Sequence, residues 1–121
     1  AVLGGGSVFH QHLRVGRGCV VSGGCRFGKD IPPFVMAEGR NGLAGINAIG
    51  LKRAGVSTEV RAELRRLFRQ VFLAGMNPSE SARVAAEGEW GREARELIDF
   101  VLAAKRRGVC FARGRGGVAG D

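Results

Sequence analysis

A left-handed parallel β-helix followed by a small helical domain is the architecture to expect from these 121 residues. A six-residue repeat opens the chain. From Leu3 it reads Leu3-Gly-Gly-Gly-Ser-Val, Phe9-His-Gln-His-Leu-Arg, Val15-Gly-Arg-Gly-Cys-Val, Val21-Ser-Gly-Gly-Cys-Arg and Phe27-Gly-Lys-Asp-Ile-Pro, five hexads in one frame. After residue 56 the period changes, and apolar residues recur at helical spacing. Glycine is in excess, at 21 of 121 residues, without the Gly-X-Y period of collagen.

The repeat has a physical reading. A three-sided coil turns a corner every six residues. Its first position points into a narrow prism and must be apolar, as Leu3, Phe9, Val15, Val21 and Phe27 are. Its fifth faces inward near a corner and stays modest in size: Ser7, Leu13, Cys19, Cys25 and Ile31. The second is small at Gly4, Gly16, Ser22 and Gly28, with His10 the exception. Small residues serve the tight turns, where positive φ is cheap only without a Cβ. Antiparallel strands would instead alternate with period two between their turns. Rungs of a solenoid are stable only when stacked, and five hexads make fewer than two coils. Further coils are therefore expected upstream of Ala1 or from a partner chain.

The organisation that follows is last coils over 1–33, a connecting segment over 34–56, a helical domain over 57–111 and a flexible tail over 112–121. Pro32 and Pro33 lack amide donors and are expected to end the coil ladder. The connecting segment reads as a strand-like Phe34-Val35-Met36, a polar Gly-rich loop and a short helical piece near Gly45–Arg53. Ser57 or Thr58 caps a helix with Val60, Leu64, Leu67, Phe68, Val71 and Phe72 on one face, closed by Gly75. Asn77-Pro78-Ser79-Glu80 opens a second helix that reaches about Ala86. A third runs from Glu89 or Trp90 to Arg107, with Ala94, Leu97, Ile98, Val101 and Leu102 inward and Gly108 beyond its end.

Nineteen Lys and Arg against eleven Asp and Glu give a net charge of +8, which attracts polyanions without choosing among them. No apolar run approaches the roughly 20 residues of a membrane span, so no integral membrane segment is expected. No basic stretch followed by an apolar one marks a secretory signal. The cysteines Cys19, Cys25 and Cys110 suit neither a disulfide framework nor a Cys-x-x-Cys zinc site. Reduced thiols fit a cytoplasmic location. His10 and His12 lack a third ligand nearby, so no metal is expected.

Four segments together resemble one family: Phe9-His10-Gln11, Lys29-Asp30-Ile31-Pro32-Pro33, Gly45-Ile46-Asn47, and Gly50-Leu51-Lys52-Arg53 followed by Gly55. It is the acyl-carrier-protein–UDP-N-acetylglucosamine O-acyltransferase family of lipid A biosynthesis. The resemblance covers roughly residues 1–110 and matches the C-terminal part of a family member, with Gly-Leu-Lys-Arg its most specific segment. It implies a homotrimer with active sites between neighbouring prisms. It also implies transfer of a (3-hydroxy)acyl chain from acyl carrier protein, as co-substrate, to the glucosamine 3-hydroxyl, with no further cofactor. A His in an earlier coil acts as general base in that family, so no catalytic residue is expected in this segment, and the chain alone should be inactive. By the same resemblance, His10 and Gln11 line the cleft and contact substrate. Asn47 and Arg53 approach the nucleotide, where a guanidinium suits diphosphate oxygens. Gly23 matches an acyl-length ruler that a side chain would close. Arg61, Arg65 and Arg69 lie at spacings of four on one helix stripe, beside Arg66, and would dock the acidic carrier protein. Two departures bear on the nucleotide: Ile49 stands where family members carry an acidic or polar residue, and Ala54 where a second Arg is common. One residue is also missing from the loop Arg40–Ala44.

Two other readings accompany this one. A truncated descendant that keeps the helical domain would be a non-catalytic trimerisation or binding module. The net charge and the basic positions Lys105–Arg107, Arg113 and Arg115 suggest a nucleic-acid binder. Against that, Tyr is absent and the aromatic residues fall at core spacing rather than on a stacking surface, so no nucleic-acid partner is expected.

Overall fold

The computed structural model describes residues 2–9, 13–24, 26–104 and 108–112. The expectations for His10, Gln11, His12 and Cys25, and for the basic positions 105–107, 113 and 115, fall outside the described residues.

The hexads stack in parallel. Strand β1 (Val2–Leu3) pairs with β3 (Val20–Val21), Val2 opposite Val20 and Leu3 opposite Val21, an offset of 18 residues. Strand β2 (Val8–Phe9) pairs with β4 (Arg26–Phe27) at the same offset. Three hexads make one such turn, so each hexad lies over the one three before it. The inward positions grow drier along the coil: Leu3 is 51% exposed, whereas Cys19, Val21 and Phe27 are buried.

The next turn is shorter. Val15 faces Ile31, and Val20 of β3 faces Met36 of β5 (Val35–Glu38), an offset of 16. The six-residue frame therefore slips by two between Phe27 and Ile31. Ile31, read as a fifth position, takes the inward place over Val15 and is fully buried. The prolines do not end the ladder, because β5 adds another parallel rung after them. Hydrogen bonds bypass them: the Gly16 amide donates to the Ile31 carbonyl and the Phe34 amide to the Arg17 carbonyl. Gly16 runs so close beneath this corner that a Cβ there would collide with the backbone of Pro33.

The segment expected to be a Gly-rich loop contains a strand. Strand β6 (Gly42–Ile46) pairs antiparallel with β5 through a bulge between Met36 and Ala37. Gly39 and Asn41, both at positive φ, make the turn between them. The low β-propensity of Gly42, Ala44 and Gly45 hides the strand in the sequence; burial of Leu43 and Ile46 forms it. Past the helices the chain returns to this sheet. Strand β7 (Phe111–Ala112) pairs parallel with β6, and Val109 bridges Asp30. The sheet order is β1-β3-β5-β6-β7.

Four helices follow β6: α1 (Ala48–Arg53), α2 (Thr58–Phe72), α3 (Pro78–Ala85) and α4 (Arg92–Leu102). Ser57 and Asn77 cap α2 and α3 through their side chains. Helix α4 starts later than its apolar pattern suggests, because Trp90 donates its indole N–H to the Ala85 carbonyl at 2.7 Å and closes α3 instead. The first orphan amide of α4, at Gly91, is bonded by the Glu63 carboxylate of α2 at 3.1 and 3.3 Å. Leu64, Leu67 and Val71 of α2 meet Leu97, Ile98 and Val101 of α4 in one core, all fully buried. Each contributes about 1.5–3 kcal/mol through apolar burial. Leu102, expected inward, is exposed at the helix end.

Two arginines of the coil, each in an ion pair, tie it to α4. The Arg14 Nε donates to Asp30 at 2.9 Å, its Nη2 reaches the Phe100 carbonyl at 2.9 Å, and its guanidinium stacks 4.1 Å from the Phe100 ring. Arg17 forms a bidentate pair with Glu96 at 2.8–3.0 Å.

The helical core holds one orphan. The Ser81 hydroxyl on α3 is buried without a hydrogen-bond partner among the described residues. An unsatisfied buried hydroxyl costs about 1–3 kcal/mol. Ser81→Ala should therefore raise stability by about 1 kcal/mol, or several degrees in Tm for a chain this size. A melting curve shifted downward would show that the hydroxyl has a partner.

Candidate functional site

Helix α1 meets the coil in a cleft of about 550 Å³. Its lining runs from Arg17–Cys19 and Phe34 across Asn47, Gly50 and Leu51 to the α1–α2 turn, with Arg92 and Glu93 of α4 at the far side. The volume suits a small-molecule ligand.

Asn47 organises this cleft. Its Oδ1 accepts from the Gly50 amide at 3.2 Å, which caps α1, and its Nδ2 donates to the Gly18 carbonyl at 3.1 Å. Its backbone amide donates to the Phe34 carbonyl at 2.8 Å. The side chain is buried, and it folds so closely over α1 that any Cβ at position 50 would strike it. That accounts physically for Gly50 in Gly50-Leu51-Lys52-Arg53. Leu51 anchors the helix in the core, Arg53 stands exposed on its last turn, and Gly55, at φ 84°, turns the chain toward α2.

The sequence-derived candidates separate in space. Asn47 lines the cleft; Arg53 lies on α1 but outside the lining. Ile49 is 67% exposed on the same helix, and Ala54 forms part of the cleft wall. Gly23 sits on an exposed turn away from the cleft, where a Cβ would meet the Gly5 carbonyl at 3.0 Å. Arg61 turns back on its own helix start, donating to the Val56 carbonyl at 2.6 Å and to Thr58 Oγ1 at 3.2 Å. Arg65 and Arg69 are exposed. Arg66 stacks 5.0 Å from the Trp90 ring.

The structure adds Arg17 and Phe34, which sequence reasoning passed over. Arg17 fills an outward hexad position between two glycines, with no pattern to mark it. Its hydrogen bond to Glu96 raises its pKa against the opposing effect of burial. The described cysteines are poor nucleophiles: burial pushes the Cys110 thiol up to about 12 and raises that of Cys19. Among the described residues no group of three or more His, Cys, Asp or Glu side chains is placed to hold a metal, and no helix is long and apolar enough to cross a membrane. The cleft presents a capped helix, the arginines Arg17 and Arg92 and the apolar side chains of Phe34 and Leu51.

Residues 30–110 match the family model described as UDP N-acetylglucosamine O-acyltransferase, domain 2. The chain belongs to this acyltransferase family. It is 37% identical over 108 residues to the acyl-[acyl-carrier-protein]–UDP-N-acetylglucosamine O-acyltransferase of Thiobacillus denitrificans, a match covering 88% of this chain and 42% of the relative. The enzyme of that name from Rhizobium rhizogenes is 34% identical over 120 residues, 96% of this chain and 44% of the relative. Among solved structures, the UDP-N-acetylglucosamine acyltransferase of Campylobacter jejuni superposes with a TM-score of 0.83 at 29% identity, over 93% of this chain and 44% of that one. The acyltransferase of Bacteroides fragilis gives 0.79 at 36% identity, over 88% of this chain and 42% of that one. The chain thus spans about two-fifths of the length of these acyltransferases.

Proposed function

We propose that these residues are the C-terminal segment of a UDP-N-acetylglucosamine 3-O-acyltransferase, acting in lipid A biosynthesis in the cytoplasm. The observation that carries the reading is the family match over residues 30–110. Left-handed winding of the coils and trimeric assembly belong to the same reading.

In the reaction, the glucosamine 3-hydroxyl attacks the thioester carbon of the acylated carrier protein. A C–O bond forms, the C–S bond breaks, and the proton passes through a general base to the departing thiol. A hydroxyl so weakly acidic needs that base, and it comes from a His outside this segment. The residues here bind and orient. Arg53 meets the nucleotide diphosphate with charge-assisted bonds. Asn47, its side chain already engaged by Gly18 and Gly50, serves by fixing the start of α1. Ile49 and Ala54 add no polar contact beside Arg53, which leaves Lys52 and Arg53 as the charged residues of α1. His10 and Gln11 are assigned substrate contact on the resemblance of Phe9-His10-Gln11 to the family. Arg65 and Arg69 meet the acidic carrier protein, and Arg61 joins them only by giving up its bonds to Val56 and Thr58.

Calorimetric titration of UDP-N-acetylglucosamine tests the nucleotide contact. Losing a hydrogen bond to a charged group costs about 1.5–3 kcal/mol, so Arg53→Ala should weaken binding by about ten- to a hundredfold. Equal affinity of the two proteins would remove Arg53 from the site.

A further inference from the structure

Phe34 adopts φ 67°, a left-handed conformation that is unfavourable for a bulky residue. It is also almost completely buried, so the strain sits inside the fold rather than at a loose surface turn. Its backbone joins the two sides of the cleft. The Phe34 amide donates to the Arg17 carbonyl at 3.0 Å, and its carbonyl accepts from the Asn47 amide at 2.8 Å. Its ring lies beneath the Arg17 guanidinium, 5.0 Å from centroid to carbon, and borders Gly18. The residue that caps α1 is thus hung on a strained carbonyl, and a buried ring keeps that carbonyl in place.

We infer that Phe34 is a positioning residue: its left-handed backbone, locked by the buried ring, sets α1 and therefore Arg53 relative to the coil. The inference rests on the reading of Arg53 as a nucleotide contact, but its mechanical part stands apart from that reading. Asn47 transmits the effect, since its amide is held by Phe34 and its side chain by Gly18 and Gly50. A filler of the core would need only the ring; a positioning residue needs the backbone conformation as well.

Phe34→Gly and Phe34→Ala separate the two roles. Both remove the ring. Glycine still reaches positive φ without penalty, whereas alanine, freed of the ring, relaxes away from it. Amide hydrogen exchange should show Asn47 and Gly50 most protected in the wild type, less so in Phe34→Gly, which loses the ring alone, and least in Phe34→Ala, which loses both ring and conformation, relative to Leu64 and Leu67 of α2 in the same protein. UDP-N-acetylglucosamine should bind Phe34→Ala about tenfold more weakly than Phe34→Gly, the size of the left-handed penalty. Equal exchange at Asn47 in the two variants, or protection lost evenly across α1 and α2, would overturn the inference. If neither variant folds, the wild type decides it, because a fast-exchanging Asn47 amide in a protein with a protected α2 would contradict the bond to Phe34. Absence of nucleotide binding in the wild type would sink the nucleotide reading, while the exchange comparison still judges Phe34.

Discussion

Replacing Asp30 with Ala is expected to destabilise the protein by about 3 kcal/mol. Asp30 is buried, with its side chain 8% exposed. One carboxylate oxygen accepts the Arg14 amide at 3.0 Å and the other the Arg14 Nε at 2.9 Å. Arg14 in turn reaches the Phe100 carbonyl, so the carboxylate holds in place the guanidinium that links the coil to α4. Breaking a buried ion pair costs about 3–5 kcal/mol; the 36% exposure of the Arg14 side chain brings the expectation toward the lower end. Asp30→Asn keeps an acceptor for the Arg14 amide and should lose less. Denaturant unfolding of both variants checks this. An Asp30→Ala loss under about 1 kcal/mol would mean that Arg14 finds other partners or water, as exposed pairs do.

The importance of Asp30 was partly legible in the sequence and partly not. Lys29-Asp30-Ile31-Pro32-Pro33 stood out as a motif, but the six-residue frame placed Ile31 at a fifth position. The two-residue slip that seats Ile31 over Val15 has no local cause, because it depends on the turn stacked beneath. The inward face of α2 is legible, since Leu64, Leu67 and Val71 repeat at helical spacing and lie in the core, whereas α4 ends at Leu102 and not at Arg107. Strand β6 is hidden in the sequence because its glycines carry no strand preference, and it forms by pairing with β5 and β7 and by burial of Leu43 and Ile46. The cleft shows the same division. Asn47 and the Gly-Leu-Lys-Arg segment were visible as a motif, and the clash a Cβ at Gly50 would make explains one of its glycines. Arg17 and Phe34 gained their importance only from contacts across the fold: Glu96 is 79 residues from Arg17 in sequence, and the conformation of Phe34 is imposed by its neighbours.

Transfer activity decides whether these residues can complete an acyltransferase. The part of the Campylobacter jejuni acyltransferase that this chain does not match would be joined ahead of Ala1, and the hybrid assayed with 3-hydroxyacyl carrier proteins and UDP-N-acetylglucosamine. Acyl transfer is expected of the hybrid and none of the 121-residue chain alone, because the proposed reaction draws its general base, worth about 10²–10⁴ in rate, from outside this segment. Within the hybrid, Gly23→Met should shift preference toward shorter acyl chains. Gly23→Ala serves as its control, because its Cβ presses equally on the Gly5 carbonyl without the length of the Met side chain. A hybrid that folds and assembles like its Campylobacter jejuni parent yet transfers no acyl chain would contradict the claim that these residues form the C-terminal part of an acyltransferase.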